Sequence, residues 1–549
     1  MLHQLLTLLP PLPTQWYFFV LPLLSTIAVY LFFEFLRDRT PPGKPDDAPH
    51  RKAYPFVGHF YYHPMDQMVK HGTEQETLTR LGKVVKLFMP GLRSIIVMEP
   101  GLLKKMLVTD FKAFERSKPL SQIFDPIAGG LALMPNGDQW REARHFFGPF
   151  FHTAVVKGYS EIIRSGIQNL HTYLETHSKP STPSSKPPTL DLQHTFDSLN
   201  FDIIARLICG VSPNSLQGSQ TLVEAWCQVA DHLMWRFIVK FSHYWEFIKT
   251  PAVRRYEKNM AMLEEMVIKR LREYEREGVD EGDRCVLAEF VRRREKDLES
   301  VPSFMRYDDR EVVKHLMTFL FAGRDTTSSL LTWVCAYLTI RPDVVEKLRA
   351  EVEQFPKDLT YEDLDKMRYL DWVVKETLRI KPPLPVLFRE LTEDRVLEWE
   401  MPDGRVGRQF IGKGQNVMWN SLGVHTHPDH YPQPLEFIPE RWAKGSAAAS
   451  SSPTTPSPIT PSPTTTSPTL TTPTDKPSTH PDAQFTFIPF GAGPRRCVGE
   501  KLGLFQAKFV IAEMVRNWKW EMGEGFDMEI EHTVTMRARR GIRVRLERR

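Results

Sequence analysis

Residues 490–499 read FGAGPRRCVG, a run of glycine, proline and arginine that leads into Cys497. Two glycines and a proline ahead of a cysteine predict a tight loop whose backbone N–H groups face the sulfur, as thiolate ligands require. Leu502, Leu504 and Phe505 then recur at helical spacing, and the N-terminal dipole of such a helix favours an anionic sulfur. The five cysteines of the chain are odd in number and widely scattered, so a disulfide framework is not indicated and Cys497 is free for chemistry.

A lone thiolate of this kind suits haem iron, because no second Cys or His stands at zinc-type spacing from Cys497. Phe490, Gly493, Arg495, Cys497 and Gly499 match the pattern F-x-x-G-x-R-x-C-x-G. Over residues 40–549 the chain resembles the cytochrome P450 haem-thiolate monooxygenases, of the membrane-anchored, microsomal type found in fungi. The resemblance implies haem b as the cofactor, Cys497 as its axial iron ligand and Phe490 beside it. A buried cysteine with a structural role is the alternative interpretation of the motif alone.

Glu376 and Arg379 stand three residues apart, on one face of a predicted helix, where they can form an ion pair. Such pairs are common on surface helices and are weak evidence in isolation. The segment PERW at residues 439–442 lies downstream, and the combination resembles the E-x-x-R and P-E-R motifs of the family. The resemblance implies that Arg441 completes a buried charge triad, which holds the core behind the haem loop and takes no part in the reaction.

The segment AGRDTT at residues 322–327 places an acid and a hydroxyl inside an apolar helix. The hydroxyl of Thr326 can bond to the carbonyl of Ala322, four residues earlier, and open the helix locally. A kink without function is the alternative interpretation. The segment resembles the family's oxygen-binding motif, which implies that Thr326 stabilises dioxygen at the iron and that Asp325 relays protons from solvent. We also expect Ala322 and Gly323 to form a groove that gives the oxygen room.

The segment WREAR at residues 140–144 resembles the W-x-x-x-R helix of the family. The resemblance implies that Trp140 and Arg144 bind a haem propionate, and Arg389 and Arg495 are further candidates. Arginine suits this role because its planar fork meets a carboxylate with two hydrogen bonds. Taken singly, each of these arginines is equally consistent with a surface charge.

The 549 residues are 41% hydrophobic and 25% charged, which excludes a fully disordered, collagenous or multi-span membrane protein. The net charge of +4 is small, and the arginine-rich C-terminus has no interleaved aromatic residues, so nucleic-acid binding is not indicated. Periodicity predicts a mainly α fold with a small β region, including a long helix over 310–340. The predicted strands are 83–88, 94–98 and 542–546.

The chain divides into an N-terminal membrane anchor at 1–39, a proline-rich hinge at 40–55 and a catalytic domain at 56–549. Residues 16–33 carry no charge, and Arg37 and Arg39 follow them, whereas residues 1–15 hold no Lys or Arg. This asymmetry predicts a single-pass helix in the endoplasmic reticulum membrane, with the N-terminus in the lumen and the catalytic domain in the cytosol. A cleaved signal peptide is the alternative. Residues 444–483 are almost wholly Ser, Thr, Pro and Ala, which predicts a disordered insertion.

The substrate class is less clearly marked. The AGRDTT segment resembles the fatty-acid and alkane ω-hydroxylase branch, but residues 401–405 read MPDGR where that branch carries a triple-glycine turn. We therefore expect an apolar small molecule of fungal secondary metabolism, with the ω-hydroxylase as the alternative. The predicted pocket residues are all apolar, with ordinary core as the alternative for each; they are Phe124, Leu316, Phe319, Ala322, Leu384, Val386 and Val534.

The chain carries no flavin or nicotinamide motif, so electrons from NADPH are expected through a separate NADPH–cytochrome P450 reductase. The expected docking residues are basic and near the thiolate face: Arg141, Arg496, Lys501 and Lys508. Two rival functions remain. One is a haem-thiolate isomerase or dehydratase, against which the intact Thr326 and Asp325 speak. The other is a non-catalytic haem- or lipid-binding homologue.

Overall fold

The structure is a computed structural model that describes most of the chain. The described residues are 43–48, 82–89, 92–117, 121, 124, 136–179, 187–218, 220–238, 246–401, 403–443 and 483–549. The predicted anchor at 1–39 and nearly all of the insertion at 444–483 lie outside them. Of the hinge, Asp46 forms a β-bridge with Gln409, so this part of it packs on the body. Among the helices of the described ranges, none has both the length and the apolarity needed to cross a bilayer.

Helices make up most of the described body, as the sequence predicted. The long helix α9 begins at Asp309 and ends at Ile340, one residue from the predicted start. Asp308 caps it by accepting a hydrogen bond from the Arg310 N–H at 2.9 Å. In chain order the helices are α1 (Pro100–Lys104), α2 (Gly137–Phe147), α3 (Thr153–Gly158), α4 (Ser160–His177), α5 (Leu192–Cys209), α6 (Thr221–Ile238), α7 (Pro251–Glu277), α8 (Val286–Lys296), α9 (Asp309–Ile340), α10 (Pro342–Val352), α11 (Tyr361–Lys366), α12 (Arg368–Ile380), α13 (Ser421–His425) and α14 (Glu500–Asn517).

Four small sheets accompany the helices. The largest has five strands in the order β1-β2-β8-β5-β3, with β2 and β8 parallel and its other pairs antiparallel. The others are β4-β12-β9, β6-β7 and β10-β11. The strands are β1 (Val84–Met89), β2 (Leu92–Val97), β3 (Phe114–Glu115), β4 (Leu190–Asp191), β5 (Val386–Leu391), β6 (Arg395–Glu400), β7 (Val406–Ile411), β8 (Asn416–Asn420), β9 (Trp518–Met522), β10 (Ile530–His532), β11 (Met536–Ala538) and β12 (Arg543–Arg548).

The close contact of α9 with α5 depends on one glycine. A Cβ added to Gly323 would lie 2.6 Å from the side chain of Ile204 on α5, well inside van der Waals contact. The expectation that Gly323 opens a groove for oxygen is therefore wrong. Its missing side chain lets two buried helices approach each other, which is a packing requirement.

The β10–β11 hairpin is fastened to the middle of α9. The backbone carbonyl of Met536 accepts hydrogen bonds from the Ser329 hydroxyl at 2.7 Å and from the Trp333 indole at 2.9 Å. All three side chains are buried. These bonds fix the hairpin, and with it Val534, to Ser329 and Trp333. The two residues lie about one and two helical turns after Thr326 on α9.

Candidate active site

The loop before Cys497 has a backbone that only glycine can supply. Gly491 and Gly493 have φ values of 68° and 67°, in the left-handed region. A Cβ at Gly493 would lie 1.9 Å from the backbone oxygen of Leu107, so no side chain fits there. The Cys497 N–H donates to the Phe490 carbonyl at 3.0 Å and closes the loop.

Cys497 is exposed and lines a cavity of about 860 Å³, whose wall also includes Arg144, Phe151, Val498 and Lys501. Surrounding protein raises the pKa of the thiol by desolvation, while the Gly499 N–H and the charge of Arg144 act in the opposite direction. Helix α14 starts at Glu500, as the apolar pattern predicted. The described part of the chain has no disulfide, and its other four cysteines lie elsewhere in the fold.

Glu376, Arg379 and Arg441 meet behind this loop, and the first two are fully buried. Arg379 donates to both carboxylate oxygens of Glu376, at 2.8 and 3.0 Å, and Arg441 donates to one of them at 2.9 Å. The Trp442 indole adds a fourth bond at 3.0 Å. These bonds give the buried carboxylate the hydrogen-bond partners that burial of an ion pair requires.

Trp140 and Arg144 lie on α2, and Arg495 approaches them from the cysteine loop. The Arg495 guanidinium stacks on the Trp140 ring at 4.0 Å from its centroid and bonds to Asn136 at 3.1 Å. The Trp140 indole N–H is buried and has no acceptor among the described residues. A buried donor without an acceptor is rare in folded proteins and indicates a missing polar partner.

Arg389 and Arg116 form a group of cations with Arg495. Burial and the charges of Arg116 and Arg495 lower the pKa of Arg389 well below its ordinary value. Burial lowers the pKa of Arg116 to about 10, and burial together with the charge of Arg116 lowers that of Arg495 to about 9. Within the described ranges, neither Arg389 nor Arg116 pairs with a carboxylate. Sequence reasoning missed Arg116, because an isolated arginine outside any motif carries no signal.

Thr326 and Asp325 occupy different environments although they are neighbours on α9. The Thr326 hydroxyl donates to the Ala322 carbonyl at 2.7 Å, which confirms the predicted bond. The Asp325 carboxylate is buried and pairs with Arg324 at 2.5 Å. Arg324 also lies 3.5 Å from Asp197, to which Arg537 binds as well. The motif did not predict this buried ion-pair cluster around the acid.

The predicted pocket residues separate into two groups. Leu316 and Phe319 are packed in the core, with the Phe319 ring 5.1 Å from Phe147 and 5.2 Å from Phe151. Their prediction as pocket residues is wrong, because they face α2 and the turn after it. Phe124 also packs on this helical core, and residues 125–135 beyond it lie outside the described residues.

The other pocket candidates differ in burial. Ala322, Leu384 and Val534 are partly exposed, and Val386 is buried in the apolar cluster of the five-stranded sheet. Val534 packs against the same cluster, and Met234 from α6 belongs to it. The partly exposed candidates are therefore apolar side chains that the core does not fully cover.

A family model for cytochrome P450 matches residues 49–544, which is most of the chain. The chain belongs to the cytochrome P450 family. Members of this family are haem monooxygenases, and we conclude that this chain is a cytochrome P450 monooxygenase.

Curated relatives of this P450 are distant and come from several kingdoms. Cytochrome P450 6l1 of Blattella germanica is 25% identical over 80% of this chain and 78% of its own length. Cyclooctat-9-en-7-ol 5-monooxygenase of Streptomyces melanosporofaciens is 23% identical over 80% and 82% of the two chains. The human cytochrome P450 4F8 is 24% identical over 75% and 73%. The solved haem domain of cytochrome P450DA superposes with a TM-score of 0.72 at 21% identity, covering 92% of this chain and 98% of its own, which supports the fold alone.

The residues of this P450 fit the haem that its family implies. Two propionate carboxylates need cations and donors. Arg116 and Arg389 pair with no carboxylate in the described ranges, and the Trp140 N–H has no acceptor there. The iron would be held by the thiolate of Cys497, which is exposed on its loop and near the Gly499 N–H.

The expected docking residues differ in their availability. Arg141 and Lys501 are exposed, and the side chain of Arg496 is one-third exposed while it bonds to both oxygens of Glu500. Lys508 is buried and donates to Asp371 at 2.7 Å, between α14 and α12. Its prediction as a docking residue is wrong, since its ammonium group is already paired in the interior.

Proposed function

We propose that this P450 holds haem b through Cys497 and oxidises an apolar small molecule, with electrons that come from NADPH through a separate reductase. The observation that carries the proposal is the exposed Cys497 on its glycine loop, together with Arg116 and Arg389, which pair with no carboxylate in the described ranges, and the buried Trp140 N–H, which has no acceptor there. In this proposal Trp140, Arg116, Arg144, Arg389 and Arg495 bind the propionates, and Phe490 lines the sulfur side. The Glu376 triad keeps the loop in place.

Bound haem would supply the activation of dioxygen that insertion of one oxygen atom into a C–H bond requires. The proposed part of Thr326 follows from its hydrogen bond. Because its proton is directed to the Ala322 carbonyl, the Thr326 oxygen can accept a hydrogen bond from a group in the cavity. Reversal of this hydroxyl would then pass a proton toward the same group.

Asp325 is proposed as the proton source for Thr326, but its ion pair sets a condition. The carboxylate bound to Arg324 has to leave that partner, at least in part, before it can take up a proton. Arg324 would then remain paired with its second carboxylate, that of Asp197. Proton delivery in this enzyme would therefore depend on Arg324 as well as on Asp325.

An apolar substrate is supported by the apolar surface that the partly exposed Ala322, Leu384 and Val534 offer. We favour a rigid secondary metabolite of a fungal pathway. One relative is named for a reaction of this general kind, the oxidation of cyclooctat-9-en-7-ol. A fatty-acid or alkane ω-hydroxylase is the second candidate, favoured by the AGRDTT segment at residues 322–327.

The proposed setting is the endoplasmic reticulum membrane, with the apolar run at 16–33 as the anchor and the catalytic domain in the cytosol. Membrane lipid would then concentrate an apolar substrate. For the reductase, Arg293 and Lys501 lie in the wall of the cavity at Cys497 beside Glu299 and Glu500, and Arg141 is exposed on α2. These cations are the proposed contacts for an acidic partner surface. An isomerase, a dehydratase or a non-catalytic homologue is less well supported, because it would leave Thr326 and Asp325 without a use.

A spectral titration of the purified full chain tests the substrate class. Fatty acids of graded chain length and a panel of polycyclic and terpenoid compounds are added separately while the Soret band is followed. A shift with the rigid compounds alone is the expected result, because the apolar surface carries no cation for a carboxylate. A shift with fatty acids alone would establish the ω-hydroxylase instead. NADPH consumption with added reductase separates both from a non-catalytic homologue.

A further inference from the structure

His425 lies between the Glu376 triad and the cysteine loop, at the last residue of α13, and is fully buried. Its backbone carbonyl accepts a hydrogen bond from Arg379 at 3.0 Å. Its ring Nε2 meets the backbone N–H of Ile488 at 2.9 Å. One residue thus contacts the triad through its main chain and the segment that leads into the cysteine loop through its side chain.

The contact with Ile488 fixes the state of the ring. Because the Ile488 N–H donates, Nε2 must be an unprotonated acceptor, and the ring proton of the neutral imidazole lies on Nδ1. Burial, with the nearby charge of Arg379, lowers the pKa of His425 to about 3, so the ring is neutral at physiological pH. Nδ1 makes no hydrogen bond of ordinary geometry, although the carbonyls of Leu378 and Arg379 at the end of α12 lie near enough to favour its proton.

The backbone of Ile488 forms the turn that leads into the cysteine loop. Its carbonyl accepts from the Gly491 N–H at 3.0 Å, which makes a tight turn at residues 488–491. The carbonyl of Phe490, inside that turn, then accepts the N–H of Cys497 at 3.0 Å. The Ile488 N–H and the Ile488 carbonyl belong to successive peptide units joined at the Ile488 Cα. A change in the backbone dihedral angles at Ile488 would therefore displace its carbonyl and the turn that holds the Phe490 carbonyl.

We propose that His425 is a positioning residue for the Cys497 thiolate, acting as the acceptor that holds the Ile488 peptide in register with the Glu376 triad. The proposal rests on the proposed role of Cys497 as the iron ligand. The role requires a hydrogen-bond acceptor at the Nε2 position, so an apolar side chain of the same size could not replace His425. A buried peptide N–H without its acceptor would turn toward another partner.

Side chains of equal length with and without an acceptor atom separate the effect of the hydrogen bond from the effect of side-chain size. His425→Gln keeps an acceptor at the same number of bonds from Cβ, whereas His425→Met has the same length and lacks one. His425→Asn keeps an acceptor that is too short to reach Ile488. His427→Met is the matched control, because the His427 ring also accepts a backbone N–H, that of Asp429 at 3.2 Å, but within its own loop.

Two readouts are taken on the full-chain protein: amide hydrogen exchange of residues 485–497, and the share of thiolate-type carbon monoxide spectrum in the haem-loaded form. His425→Met and His425→Asn should raise the exchange rate at Ile488 about 2- to 10-fold, as loss of one hydrogen bond predicts, and lower the thiolate-type share. His425→Gln and His427→Met should resemble the wild type in both. Exchange needs no haem, so it stays informative if a variant loads poorly.

The proposal is overturned if His425→Met or His425→Asn matches the wild type, or if His425→Gln loses as much as His425→Met. An equal effect of His427→Met would also overturn it, since the loss would then be a general one. A wild type that gives no thiolate-type spectrum at all would instead remove the proposed role of Cys497. The two failures are therefore distinguishable.

Discussion

The Thr326 hydroxyl donates to the carbonyl of Ala322 at 2.7 Å, inside the unbroken helix Asp309–Ile340. A threonine hydroxyl in this position competes with the backbone for the carbonyl four residues earlier. Because its proton is used in this bond, the Thr326 oxygen is open as an acceptor.

Thr326→Ala should retain haem and substrate binding but divert electrons to hydrogen peroxide, because no hydroxyl remains to handle protons at the oxygen site. Thr326→Ser should restore most of the coupling. The measurement is the ratio of hydrogen peroxide formed to NADPH consumed with reductase present. Thr339→Ala is the control, since Thr339 makes the same type of bond to Cys335, also at 2.7 Å, near the far end of α9. Unchanged coupling in Thr326→Ala would remove this role.

Gly323→Ala should destabilise the protein, because the new Cβ would meet Ile204 at 2.6 Å. Overpacking of this kind costs about 1–3 kcal/mol, more than the roughly 1 kcal/mol that alanine gains over glycine in a helix. In an Ile204→Ala background the same change should be neutral or stabilising. A double-mutant cycle by urea unfolding measures the coupling, and purely additive effects would show that the two helices do not touch as described.

Gly503→Ala should stabilise the protein by about 0.5–1 kcal/mol, since glycine inside a helix is costly in conformational entropy. Gly503 lies on α14, six residues after Cys497. The nearest atom to an added Cβ is the Thr327 hydroxyl oxygen at 3.8 Å, an ordinary contact. A higher thermal unfolding midpoint is expected.

Gly493→Ala should have the opposite effect. Its Cβ would lie 1.9 Å from the Leu107 oxygen, so the variant should fail to fold or to load haem.

His315 makes stability depend on pH. It is buried on α9 beside Phe147 and Phe304, neither ring nitrogen has a hydrogen-bond partner in the described structure, and burial lowers its pKa to about 3. Between that value and the ordinary pKa of about 6.5, the unfolded chain binds a proton that the folded chain does not. Stability should therefore fall as pH decreases below about 6.5, by up to roughly 1.4 kcal/mol per pH unit from this group.

His315→Leu removes the titrating group and should flatten this slope. Urea unfolding at about pH 7 and about pH 5 gives the comparison, with the wild type losing about 1–2 kcal/mol more than the variant. His425 and His427 titrate in both proteins and cancel in the difference. Equal losses for the two proteins would mean that His315 is protonated or solvated in the folded state.

Local signals in the sequence were sufficient for the cysteine loop and the long helix, whereas the Glu376 triad followed from the resemblance to the family. Each is a short motif in which the residues that interact are close in sequence, or, for Arg441, stand in a recognisable segment of their own. The Thr326 bond to Ala322 was predictable for the same reason, because an i to i−4 contact is a property of the helix. Fold class followed from these motifs together with periodicity.

Contacts between distant segments were not predictable. Arg116 lies about 380 residues before the cysteine loop whose arginine it approaches, and no pattern marks it. Lys508 looked like a surface cation until α12 supplied Asp371. From its position on the helix, Phe319 could face either a pocket or α2. Its ring contacts with Phe147 and Phe151 show that it faces α2. Strands β5 to β8 were missed because their short, mixed sequences carry little alternation.

The role of Cys497 is tested most directly by the carbon monoxide difference spectrum of the reduced full chain. The wild type should give the thiolate-type spectrum. The control variant Cys335→Ala, which removes a buried thiol on α9, should give it as well. Cys497→Ala should lose it completely while its helical circular dichroism stays unchanged. A thiolate-type spectrum that survives in Cys497→Ala would contradict the proposed ligation and, with it, the site built around this loop.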